Sequence, residues 1–122
     1  MPDTLFNKYG GYATLTRVVE DCYAKAYESD VLAPYFDGAD MRELVKRQTE
    51  FLGSLMGGPQ SYSNQELRRI HRHFDITDTA FSTMMKLMRE SLEHARFEDP
   101  DIEFIMDKMR RRRRYVVTPR RY

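Results

Sequence analysis

Four stretches of this chain place apolar side chains at intervals of three and four residues, with glycine or proline between them, and no stretch alternates with the two-residue period of a strand. A helix of 3.6 residues per turn gathers such positions onto one face. The fold class is therefore all-α: short helices that bury these faces against one another. The longest stripe runs over residues 12–27, where Leu15, Val18, Val19, Cys22, Tyr23 and Ala26 oppose Arg17, Glu20, Asp21 and Lys25. One helical turn is expected before it, over residues 3–8, ended by Tyr9-Gly10-Gly11.

After Ser29-Asp30, Val31 to Phe36 reads as a packed connector without a helix of its own, because Pro34 interrupts it and Asp37-Gly38 closes it. Asp40 with Glu43 suggests a capping box opening a helix over residues 41–56, with Leu44, Gln48, Phe51 and Leu55 on one face. Gly57-Gly58-Pro59 ends it, and a polar loop carrying Tyr62 leads into a short amphipathic helix around His71. Thr77 or Asp78 caps a further helix over residues 79–96 with Phe81, Met84, Met85, Met88 and Leu92 inward. Pro100 marks a break, a last helix runs from Asp101 toward Arg114 through Ile102, Ile105, Met106 and Met109, and Pro119 ends the ordered chain.

At 122 residues the chain supports one domain, expected over residues 1–117, with 118–122 as a short basic tail. No 18-residue apolar run is present, and the first ten residues mix acidic and basic side chains, so neither a membrane span nor a signal peptide is expected. One cysteine excludes an internal disulfide and points to a reducing cytoplasm. Residues 101–122 hold eight Lys/Arg against three Asp/Glu, leaving twelve against sixteen in residues 1–100. The basic charge is thus concentrated in Arg110 to Arg114 and beyond.

No nucleophile elbow, phosphate-binding glycine loop, His-Glu-x-x-His helix or EF-hand loop occurs, and three histidines with one distant cysteine lack structural zinc spacing. What remains is His71. An imidazole beside an apolar stripe is either a hydrogen-bonded core group or a metal ligand, since a neutral ring nitrogen coordinates iron, copper or zinc. His71 and His73 lie about 200° apart around a helix, so only one can face a given ligand. Leu67 and Phe74 place His71 beside the stripe and turn His73 toward water. An all-helical chain rich in aromatic and methionine side chains suits a large, flat apolar cofactor.

Five landmarks carry a resemblance. They are Tyr9-Gly10-Gly11; Val18-Val19-Glu20-Asp21-Cys22-Tyr23; Leu32 to Phe36 with Asp37-Gly38; Gln48-Thr49-Glu50-Phe51-Leu52 leading to Gly57-Gly58-Pro59; and Tyr62 followed by Leu67 to His71 and Ile76. In this order and spacing, over about residues 5–117, the chain resembles a truncated haemoglobin, and is most similar to the first group of that family.

The resemblance implies a two-over-two helical sandwich around one haem b, with His71 as iron ligand; a register shifted by two residues would give that role to His73 instead. It implies Tyr23 as first and Gln48 as second hydrogen-bond donor to a bound gas. The alternative for both is a bond to each other or to the backbone, because a buried unpartnered hydroxyl or amide costs roughly 1–3 kcal/mol. Leu44 takes the place of the usual distal histidine, Phe36 packs on the haem face, and Phe51, Ile76, Phe81 and Met84 touch the macrocycle. Arg47 stands where some relatives carry a His or Lys that coordinates iron. Arginine has no lone pair to offer, so a five-coordinate ferrous iron is expected.

Arg47 is instead the expected partner of a haem propionate, with Arg68 or Arg69, Lys46 and Tyr62 as further candidates. No histidine follows His94, so a late covalent tether to haem is not expected. His94 reads as solvated and Cys22 as a small buried apolar residue. For Arg110 to Arg114, a solvated helix end whose charges favour the helix C-terminus is preferred over an anion-binding surface.

The function implied is reversible binding of O₂, with NO and CO as related ligands, and slow O₂ release. It extends to oxygen transport, or to oxidation of nitric oxide to nitrate by O₂ with electrons from an external donor, in a monomer or weak dimer. A gas sensor or haem-handling module signalling through the basic tail is the alternative. DNA binding is not expected, although a cofactor-free nucleic-acid or membrane-surface module is a third possibility.

Overall fold

In the computed structural model, residues 3–72 and 74–119 are described, and every regular element among them is helical. The helices are α1 (Leu5–Lys8), α2 (Gly11–Glu28), α3 (Met41–Leu55), α4 (Asn64–His71), α5 (Asp78–His94), α6 (Asp99–Arg111) and α7 (Arg113–Val116). The α2/α3 and α5/α6 pairs form a two-over-two sandwich in which α2 packs on both α3 and α5, while α4 packs on α7. Among the described residues no helix is long and apolar enough to cross a membrane.

The predicted stripe of α2 is buried in full, from Leu15 to Ala26. It meets Leu52, Leu55 and Met56 from the end of α3, Met88 and Leu92 from α5, and Ile102, Ile105 and Met106 from α6. The helices come close where α3 has no side chain: a Cβ at Gly53 would lie 2.9 Å from Tyr12 Cε1 and 3.3 Å from Phe6 Cε1. The end of α3 uses a second glycine. Gly57 has φ +87°, and the Gly58 N–H bonds the Gly53 carbonyl at 2.8 Å, which is the Schellman closure of a helix C-terminus.

Several boundaries differ from the sequence expectation. The connector forms a 3₁₀ turn, Ala33–Phe36, since proline is accepted in the first turn of a helix. Pro100 likewise opens α6 instead of breaking the chain before it. Asp40 caps α3, accepting from Arg42 and Glu43 N–H, but the Glu43 carboxylate turns to Arg47 at 3.1 Å. The reciprocal capping box occurs at Ser63 and Glu66, ahead of α4. Thr77 caps α5, which begins at Asp78 and ends at His94. The last helix stops at Arg111, and α7 follows as a separate turn.

Candidate functional site

The sandwich leaves a cavity of ≈ 390 Å³ between α2, α3, α4, α5 and the C-terminal segment. That volume lies within the range of sites that enclose a small ligand or cofactor. Its walls are mostly apolar: Phe36, Leu44, Phe51, Ile76, Phe81 and Met84 all line it. Phe36 stands edge-on to the Tyr23 ring at 5.5 Å, and Phe51 edge-on to Tyr62 at 6.1 Å, so the aromatic rings of the wall pack on one another.

Three polar groups break this lining. His71 closes α4, and its Nδ1 lies 2.8 Å from the Leu67 carbonyl oxygen. A carbonyl can only accept, so Nδ1 carries the proton and Nε2 keeps the lone pair. Burial holds the imidazole pKa below its ordinary value, although the Leu67 bond opposes the shift. Tyr23 is buried with 8% exposure, and burial pushes the pKa of its hydroxyl up. No hydrogen bond joins the Tyr23 hydroxyl on α2 to the Gln48 amide on α3. Both line the cavity.

Arginine supplies the remaining polar wall. Arg47 and Arg69 line the cavity, and Arg47 also pairs with Glu43. Arg68 does not: its guanidinium lies 5.1 Å from the centre of the Tyr115 ring, one helical step away from Arg69. Lys46 is also outside the lining, whereas Tyr62 is part of it. Met109, Arg112 and Val116 complete the wall from the C-terminal segment and were not anticipated, although they extend the inward series Ile102, Ile105, Met109 by steps of three and four residues. The buried Nε–H of Arg112 has no partner, while its Nη1 donates to the Lys108 carbonyl at 2.7 Å.

These residues fit an iron porphyrin. Among the described residues no three His, Cys, Asp or Glu side chains converge on one point, and His71 is the histidine among those that line the cavity. A single nitrogen suffices when the metal arrives already held in a macrocycle. The apolar walls suit its faces, and the orphaned Arg112 Nε–H with Arg47 and Arg69 suits its carboxylates. His73 lies outside the described residues, so the register that would make it the ligand has no geometry to set beside that of His71. Cys22 is fully buried with its thiol pushed up to about 12 by desolvation, which fits packing and not reactivity.

The Arg110 to Arg114 run makes surface contacts within the chain while most of its side chains stay exposed. Arg110 meets Glu103 at 3.7 Å, Arg111 meets Asp107 at 2.9 Å, Arg113 pairs with Asp78, and Arg114 lies over Tyr115.

A two-over-two helical sandwich enclosing an apolar cavity with one available imidazole nitrogen defines a globin-type haem site. Residues 4–118 match the family described as bacterial-like globin, and the chain belongs to it, among the truncated haemoglobins. The group 1 truncated hemoglobin GlbN of Mycolicibacterium paratuberculosis is 28% identical over 94 residues, which are 77% of this chain and 69% of that protein. That of Tetrahymena thermophila is 27% identical over 79% of each chain. The Fe(III) crystal structure of the truncated hemoglobin from Tetrahymena pyriformis superposes with TM-score 0.85 at 22% identity, covering 96% of this chain and all of the other. The group II protein of Bacillus anthracis reaches the same TM-score at 23% identity, over 100% and 96%. The fold is therefore shared across both groups. Members of this family bind haem b and small gaseous ligands such as O₂, and this chain is a haem protein of that kind.

Proposed function

We propose that the chain holds haem through His71 Nε2 and binds O₂ reversibly and tightly, with Tyr23 and Gln48 as donors to the gas, serving nitric oxide oxidation to nitrate more than oxygen transport. The observation that carries this is the pairing of a fixed imidazole tautomer on α4 with the buried Tyr23 of α2, both lining the same cavity. Haem supplies a ferrous iron that shifts negative charge onto a coordinated gas and can give up one electron.

The protein's own groups do the rest. The Leu67 carbonyl orients the His71 ring and makes it a better donor. Tyr23 donates a hydroxyl proton that burial keeps in place, and Gln48 donates from its amide, so both oppose departure of a negatively polarised ligand. Phe36, Leu44 and Phe51 keep water from competing for these donors. Arg47, Arg69 and Arg112 would hold the carboxylates, and Arg47, having no lone pair, would not itself serve as a ligand to the iron.

Tight holding suits redox use better than bulk delivery, and electrons come from an external donor because no flavin or nicotinamide motif is present. The proposed setting is the cytoplasm, as a monomer or weak dimer. Signalling through the basic segment is the alternative, but its exposed arginines suit a solvated helix end as well.

Oxidised, reduced and CO-bound spectra of wild type beside His71→Ala and His73→Ala test the ligand: only His71→Ala should lose the five-coordinate ferrous signature. Anaerobic mixing of the oxygenated protein with nitric oxide should yield ferric protein and nitrate. An oxygenated form that survives the gas refutes the oxidation role.

A further inference from the structure

We propose that Thr118 is a positioning residue for the His71 side of the cavity, held by a strap over residues 113–118; this rests on His71 being the iron's ligand. Between the end of α4 and the start of α5 the chain has no helical ladder, yet Phe74 and Ile76 in this gap line the cavity. Their backbone groups need partners from elsewhere. Thr118 supplies most of them. Its N–H donates to the Ile76 carbonyl at 2.8 Å, its hydroxyl accepts the Ile76 N–H at 3.1 Å, and the same hydroxyl donates to the Phe74 carbonyl at 2.7 Å. One residue thus satisfies three backbone groups, and its hydroxyl acts in both directions.

The strap is fastened on both sides of the gap. Arg113 pairs with Asp78 in the first turn of α5, and the Tyr115 ring lies 5.1 Å from the guanidinium of Arg68 on α4. The pinned stretch connects directly to His71, because the Phe74 N–H donates to the His71 carbonyl at 3.0 Å. Slack at Phe74 to Ile76 is therefore slack at the residue that holds the iron, and the segment expected as the start of a free tail is part of the site's support.

The test uses the full chain loaded with haem. T118V removes the hydroxyl at nearly constant volume and T118S keeps it. T118V should lose haem to excess apomyoglobin about tenfold faster, the effect of two lost hydrogen bonds. Its ferrous iron–histidine stretching band should shift or broaden, and the Ile76 amide should exchange faster, while T118S stays within about twofold of wild type. If T118V speeds exchange at Ile76 but leaves haem loss and the band unchanged, Thr118 only staples a loop and the proposal fails. It also fails if T118S behaves like T118V. Should T118V not fold, R113Q loosens the strap from its other end and should move the same readouts in the same direction; unchanged values overturn the proposal. Failure of the ligand assignment would show separately, as an iron–histidine band that persists in His71→Ala.

Discussion

Tyr23 brings a hydroxyl to the cavity wall from the otherwise apolar stripe of α2. Its ring is locked against Phe36, and its hydroxyl is desolvated enough to remain protonated. A hydrogen bond to a charged acceptor contributes roughly 1.5–3 kcal/mol. Tyr23→Phe should therefore speed O₂ release about 10- to 100-fold in stopped-flow displacement by CO, with Gln48→Leu giving a smaller increase. Wild-type release from Tyr23→Phe would remove it as a donor. A polar side chain on an apolar stripe is readable in a sequence, as for Tyr23 and Gln48, but their role as donors to a gas comes from the family resemblance and not from the stripe. Neighbouring arginines are not so readable: Arg68 and Arg69 differ by about 100° of helical phase, and the one outside the cavity lining lies over the Tyr115 ring, a contact far away in sequence.

Helix α4 matters more than its eight residues suggest, since it carries His71 on its last turn. A helix this short has little stability of its own in water. It depends on Leu67 in the core, on α7 against its side, and on the capping box of Ser63 and Glu66. Ser63→Ala removes the hydroxyl that accepts the Glu66 N–H at 3.1 Å, at a cost of about 1 kcal/mol. Denaturant unfolding of the haem-free chain should show that loss as a lower midpoint with unchanged slope, and Ser63→Asp should restore it. An unchanged midpoint for Ser63→Ala would mean that tertiary packing alone sets α4. Ser–x–x–Glu is as visible in the sequence as Asp40 with Glu43. The choice between them was made by Arg47, which sits one turn beyond Glu43 and draws its carboxylate away.

For the molecule as a whole, helical periodicity carries the four long helices but gives no signal for the turn of α7 or its packing on α4, while Arg110 and Arg111 end α6 as exposed basic side chains of its last turn. Met109, Arg112 and Val116 became cavity wall only once α7 was folded against α4. The site and the fold then share one titration. Burial lowers the His71 pKa, so the unfolded chain, with a histidine near 6.5, takes up a proton that the folded chain refuses. Stability is full above about pH 6.5 and falls as pH drops below it, by at most about 1.4 kcal/mol per pH unit from this one group, levelling off below the folded-state pKa. Asp21 and Asp101 act in a lower window. Their carboxyls are held below the usual range by Ser91 and by Lys8 respectively, so their contribution is present above about pH 3.8 and is lost only under stronger acid. Unfolding free energies of the haem-free chain between pH 7 and 4.5 should thus fall for wild type and stay flatter for His71→Gln, which cannot take the proton. In the haem-loaded protein the proton competes with iron for Nε2, and haem loss should accelerate over the same interval. Parallel curves for wild type and His71→Gln would assign the acid sensitivity to another group.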